Sequence, residues 1–367
     1  MGKTINQTIK KERNSNLELF RIIAMLLIVA HHYVVNSGLL QIMQSTEITG
    51  NSIFLYLLGM WGKIGINCFV LITGYFMCKS NITVSKFLKL ILEIWFYNII
   101  IYSLFIVFNI IDFEFESFVR MIIPIGHVGL DFTTAFLCFY LFIPFLNILV
   151  NAMNKKQHIA LIALFLAIYS IWPMIPGFGT TYNYVTWFIV LYFIASYLRI
   201  YPNTKYSNNT KFWAWMTAIS ITISMISVVI FRFIQCKYIH PYFLVSDSTA
   251  IFAIIVAVSS FMLFKNIKMK QNKFINTIAA STFGVLLIHA NSNAMRQFLW
   301  VDVLKNCTYF NHPYLWIHAL ASVIGVFIIC IIIDRLRIML IERPLFNSSW
   351  FINLTAKIQK YFDSILN

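Results

Sequence analysis

An imidazole and a guanidinium interrupt the apolar run Leu17–Val35, which reads LELFRIIAMLLIVAHHYVV. His32 is the right chemical type to take and return a proton near neutral pH. Arg21 is the right type to hold an anion or a buried acid. Over the eleven residues between them a helix turns through about 1100°, some 20° past three full turns, and rises about 16 Å. The two side chains therefore share one face at two depths and do not touch, while His31 turns to another face. A further imidazole, His289, lies in FGVLLIHAN, and Arg296 follows seven residues later. On a continued helix Arg296 would sit on about the same face, about 10 Å further along. Lys63 lies in GMWGKIGIN, and Glu93 follows Lys89 by one helical turn, on one stripe with Lys86. An Arg at the centre of a bilayer costs roughly 2.5–3.5 kcal/mol, so such groups face a cavity or each other. A lone His on an apolar helix is usually a hydrogen-bonded core residue. Two His in the same half of different spans, one aligned with an Arg, favour proton-transfer chemistry. The Lys89–Glu93 spacing suits a structural ion pair as well as a functional one. The His residues do not form HxxxH or HxxEH, so no metal site is expected. No GxSxG elbow, Walker loop or dinucleotide fingerprint occurs.

The elements that must hold these groups are membrane helices. The 367 residues are 60% hydrophobic and only 11% charged, and the mean hydropathy is +0.77. Soluble domains carry about 25% charged residues. Ten apolar segments can be drawn, over 17–35, 53–77, 87–111, 133–151, 158–174, 182–199, 213–232, 247–264, 274–293 and 314–341. The expected fold is an all-α, polytopic helical bundle of about ten spans with both termini in the cytoplasm. With that orientation 21 of the 28 Lys and Arg fall on the cytoplasmic side and five on the other, a firm positive-inside asymmetry. It accounts for the +15 net charge by topology and by attraction to anionic lipid, without nucleic acid. The reading divides the chain into a basic tail (1–16), a ten-span domain (17–345) and a cytoplasmic tail (346–367). No cleavable leader is evident at the N-terminus, and no internal repeat or pair of Gly/Pro-broken short helices is apparent. Four of the six cysteines lie in apolar runs. Cys236 and Cys307 fall in loops, where a disulfide is conceivable.

The stretch RIIAMLLIVAHHY resembles the opening helix of bacterial acyltransferase family three, the polytopic O-acyltransferases of surface glycans. GINCFVLITGYFM (65–77), TAFLCFYLFIPFLN (134–147), STFGVLLIHANSNAMRQFLW (281–300) and IDRLRIMLIERPL (333–345) are similar, in order, to four later patterns of that family. The resemblance implies transfer of an acyl group, usually acetyl, from cytoplasmic acyl-CoA to a hydroxyl of an extracytoplasmic or lipid-linked glycan. It implies His32 as the catalytic His, Arg21 as the essential Arg, and Lys79, Lys86 and Lys89 as the coenzyme A contact. Many members carry Arg at that basic cluster, and Lys lacks the bidentate phosphate grip. His289 joins the catalytic set, with Lys63, Arg296 and Asp131 on the acceptor side. Asp131 belongs to HVGLDF (127–132), where a Trp-Phe pair is common in the family. The bacterial cell membrane is the implied location and acetyl-CoA the implied donor.

Two other readings fit the same charges. A transporter or polyprenyl-glycan flippase would use them as a proton or substrate pathway. A non-catalytic membrane binding domain would keep the fold and lose the turnover.

Overall fold

The structure, a computed structural model, describes residues 13–123, 132–175, 177–202, 205–234 and 238–366. Its helices are α1 (Ser15–Val35), α2 (Leu39–Ser45), α3 (Gly50–Gly59), α4 (Gly62–Met77), α5 (Val84–Val107) and α6 (Phe115–Ile122). Then follow α7 (Phe132–Ala152), α8 (Lys155–Leu166), α9 (Tyr184–Ile200), α10 (Thr210–Phe233) and α11 (Ile251–Asn266). The last are α12 (Lys273–Ala279), α13 (Thr282–His289), α14 (Asn293–Arg296), α15 (Leu315–Arg337), α16 (Arg343–Asn347) and α17 (Ser349–Leu366). No strand occurs among the described residues. The protein is an all-α polytopic membrane protein.

Seven helical stretches are long and apolar enough to cross a bilayer: Ser15–Val35, Gly50–Met77, Val84–Val107, Phe132–Ala152, Lys155–Met174, Thr210–Phe233 and Leu315–Asn347. An eighth is the pair Lys273–His289 and Asn293–Tyr309, bent by 95°. The remaining two apolar segments of the sequence form the shorter helices α9 and α11, of 17 and 16 residues. The spans are thus less even and less continuous than the hydropathy pattern suggests. Breaks also fall inside expected loops: α2, α6 and the turns after Asn293 are helical. The tail after 346 contains the helix α17.

Local sequence sets many of the helix starts. Thr49 with Ser52, Asn154 with Gln157, and Asn183 with Thr186 form reciprocal capping boxes at α3, α8 and α9. Such caps satisfy amide groups that no earlier turn can reach. Ser292 likewise caps α14 through the Met295 amide, which ends one helix and starts another between His289 and Arg296.

The core forms around α1, which packs on α3, α4, α11, α12, α13 and α15. Met25, Ile28, Val29 and Tyr33 are buried along it. The approach of α4 requires glycine. A Cβ on Gly62 would lie 2.3 Å from the His31 ring, so only a bare backbone fits beside that imidazole. On the outside of the bundle, Ile219, Ile223, Ile226 and Ile230 of α10 are exposed. Ile324, Ile328 and Ile332 of α15 form a second such row. In water these stripes would be interaction patches; against lipid they are the expected solvent-facing surface. Ser220 of α10 meets Ser259 of α11 at 3.3 Å, a polar contact between helices of the kind that replaces hydrophobic driving force within lipid.

At the other end of α5 and α15 lies a buried ion cluster. The Arg337 guanidinium contacts Glu93 at 3.0 Å, Asp334 at 2.8 Å and Glu342 at 2.9 Å. Tyr97 donates to the same Asp334 oxygen at 2.8 Å, and Lys89 pairs with Glu342 at 2.5 Å. Lys89 and Glu93 are therefore not partners of each other. Their helical spacing is correct, but α15 and the turn after it offer each a better-placed opposite charge. The π-helical turn Ile338–Glu342 widens the helix, which brings Glu342, five residues after Arg337, onto the same guanidinium. Arg337 is thus a core residue rather than one of the surface charges of the inner loops.

Candidate active site

His289 is the last residue of α13 and is fully buried. Its Nδ1 lies 2.6 Å from the Val285 carbonyl oxygen, one turn back. A carbonyl oxygen only accepts, so Nδ1 carries the hydrogen and donates. Neutral His289 then keeps its lone pair on Nε2. That atom lies 2.9 Å from Nδ1 of His32, so His32 donates to it. The lone pair of neutral His32 is left on Nε2. The protons are assigned here from the acceptors in the chain, and they make His32–His289 a polarised pair ending in an available base.

The pair is held from several sides. Trp300, in the π-helical segment Gln297–Val303, is fully buried and sets its ring edge-on to both His289 and Tyr33. Tyr33 in turn hydrogen-bonds His318 at 2.9 Å. His31 does not point to an unrelated surface: its Nδ1 contacts the Gly59 carbonyl oxygen and its ring lines the same cavity as His32.

That cavity measures about 300 Å³, at the small end of ligand sites. Its apolar wall includes Ile28, Ile66, Ile94 and Phe132, and its polar wall Lys63, Asn98, Arg120, Tyr184, Asn291 and Arg296. Lys63 donates to the Tyr184 hydroxyl. Asn291 donates to Asn98 Oδ1 at 3.0 Å. Arg120 pairs with Glu116. Arg296 reaches back to the Ala290 carbonyl at 3.3 Å and to Asn293 Oδ1 at 3.2 Å.

His32, Lys63 and Arg296 thus meet at one cavity, with His289 directly behind His32. Arg296 arrives there by a different route from the one its spacing suggests. The chain bends after His289, and the guanidinium folds back instead of continuing along one helix face. Asp131 lies outside the described residues. The inner groups are separate: none of Arg21, Lys79, Lys86 and Lys89 lines this cavity. Arg21 pairs with Glu18 of its own helix at 3.1 Å and lies over the Phe69 ring. Lys79 and Lys86 are exposed. Cys307 is a free thiol that donates to the Ser37 carbonyl oxygen at 2.8 Å, and Cys236 lies outside the described residues.

Sequence reasoning missed Tyr184, Asn98, Asn291 and Arg120 as cavity residues. Asn98 carried a signal, being an amide inside the apolar run WFYNIIIY. Asn291, two residues after His289, carried a weaker one. Tyr184 carried none, since tyrosines are common near membrane interfaces.

The structure is thus a polytopic helical bundle in which His32, hydrogen-bonded to His289, lines a cavity with both apolar and charged walls. The family model for the acyltransferase domain of acyltransferase family three matches residues 14–335, from just before α1 almost to the end of α15. The chain belongs to that family and is a multi-pass membrane acyltransferase. No curated protein and no solved structure matches it.

Proposed function

We propose that the protein moves an acyl group, acetyl in the simplest case, from cytoplasmic acyl-CoA to a hydroxyl of an extracytoplasmic or lipid-linked glycan. The observation that carries this reading is the His32–His289 hydrogen bond with His32 Nε2 left as a base beside the cavity. In the proposed step His32 takes the proton of the acceptor hydroxyl. The freed oxygen attacks the thioester carbonyl, a C–O bond forms, and collapse of the tetrahedral intermediate breaks the C–S bond. The coenzyme A sulfur leaves and recovers the proton from His32. His289 accepts from Nδ1 of His32 throughout, which holds the ring in place and favours the transient imidazolium. Asn98 offers an N–H group to the developing oxyanion.

The charge asymmetry of the sequence supports the sidedness. With the N-terminus inside, Arg21, Lys79, Lys86 and Lys89 belong to the inner half, where a polyanionic donor would arrive. His32, near the C-terminal end of α1, belongs to the outer half. The test is transfer of labelled acetyl from acetyl-CoA in membrane vesicles containing the full chain. Loss of transfer in His32→Ala is expected, and full activity in that variant would overturn the assignment.

A further inference from the structure

The charged groups around the cavity are unequally divided. Three cations line it, Lys63, Arg120 and Arg296, and no Asp or Glu does so among the described lining residues. Glu116 pairs with Arg120 and so offsets one of them. Asp131 precedes the lining residue Phe132 in the sequence. Even with an ionised carboxylate at Asp131 offsetting a second, the count stays positive by one. Lys63 is the group through which that excess acts. Its described partner is the neutral hydroxyl of Tyr184, and no ion pair of Lys63 occurs among the described residues. Its ammonium stands on α4 one residue after Gly62, which packs directly on the His31 ring. The charge is thus anchored next to the histidines and not on a mobile loop.

A neutral sugar can accept hydrogen bonds from these cations but leaves their charge uncompensated, whereas an anion offsets it. A cation in a confined, mostly apolar cavity is costly without a counter-charge. We infer that the acceptor is an anionic glycan, whose carboxylate or phosphate is bound by Lys63 close to the hydroxyl that receives the acyl group. This inference rests on the proposed acyl transfer and narrows its acceptor. Lys63 positions the acceptor through its acid group, and His32 acts on the neighbouring hydroxyl.

The experiment compares methyl glucuronoside, glucose 6-phosphate and methyl glucoside as acceptors of labelled acetyl from acetyl-CoA, in vesicles holding the full chain. His32→Ala is the control. A charged hydrogen bond supports about a tenfold or larger preference in kcat/KM for an acid over the neutral sugar. Lys63→Gln is expected to remove most of that preference by raising KM for the acid acceptor. The better of the two acids then identifies carboxylate or phosphate as the bound group. Equal transfer to acid and neutral sugars, with His32-dependent transfer intact, would overturn the inference alone. So would a Lys63→Gln variant whose KM rises for acetyl-CoA and not for the acceptor, because the anion site would then belong to the donor's phosphates. Absence of His32-dependent transfer to every sugar would instead overturn the acyltransferase reading beneath it.

Discussion

The protein holds two buried polar clusters that differ in how they are satisfied. The Arg337 cluster is dense in charge: one guanidinium touches three acids, a tyrosine and a lysine add further contacts, and Asp334 Oδ2 is left without a hydrogen-bond partner among the described residues. The His32–His289 pair carries no ion pair among the described residues and hands its hydrogen bonds along one line, from His32 to His289 to a backbone carbonyl. The first cluster has its strong donors already engaged, so it holds helices together. The second leaves a lone pair on His32, a residue that lines the cavity, and this is the group the proposed transfer uses. Both are reached from the same two helices. α5 gives Glu93 and Tyr97 to the ion cluster, and their neighbours Ile94 and Asn98 to the cavity. α13 sets Gly284 against Asp334, where a Cβ would come within 2.4 Å, and ends at His289. The ion cluster and the His pair are therefore joined through α5 and α13.

The contrast yields a graded set of expectations. Removing the base should have the largest effect on chemistry: His32→Ala is expected to lower transfer by about 10²–10⁴-fold with little change in melting temperature in detergent. A comparable loss of folded protein would show that His32 is structural. Arg337→Ala should act on the fold instead, because it strands three buried acids. A loss of about 3–5 kcal/mol in stability is expected, read from denaturant unfolding in micelles. A variant as stable as the parent would remove the distinction between the two regions. His289→Ala takes away the acceptor behind His32, and about a 10–100-fold fall in kcat with an unchanged KM is expected, as for other groups that orient a reacting imidazole. Gly284→Ala should press on Asp334 and cost about 1–3 kcal/mol, with part of the damage appearing as lost transfer because α13 carries His289. The smallest effect is expected for Lys89→Ala. The ammonium is half exposed, so its pair with Glu342 should contribute under about 1 kcal/mol, and a larger change in the KM for acetyl-CoA than in stability would mark a donor contact.

Much of the fold was legible from composition and hydropathy, since the cost of exposing a polar backbone in lipid forces apolar helices of about bilayer length. All ten apolar segments are helical, and the ends shift by a few residues where caps such as Thr83 and Asn183 set them. Two features were not readable. The bend of 95° after His289 coincides with a serine cap that starts a new helix, and α9 and α11 are shorter than the other apolar helices. The candidate residues were readable by type: His32, His289, Lys63 and Arg296 all stand out against an apolar background. Their grouping was not, and the assumption of a continuous helix placed Arg296 wrongly. The partners of Lys89, Glu93 and Arg21 were also misjudged or missed. Helical spacing shows which residues share a face, not which face of another helix lies opposite.

The sequence by itself determined that this chain is a helical membrane bundle and which groups in it are out of place in lipid. Those properties depend on residue type and on local periodicity. Only the tertiary structure decided that His32 meets His289, 257 positions away, that Arg337 gathers three acids, and that a cation-lined cavity opens beside the histidines. In lipid the outer faces of helices are as apolar as the inner ones, so hydrophobicity does not specify which helices pack together. Close glycine contacts and buried polar pairs make that choice, and they exist only once the helices have met.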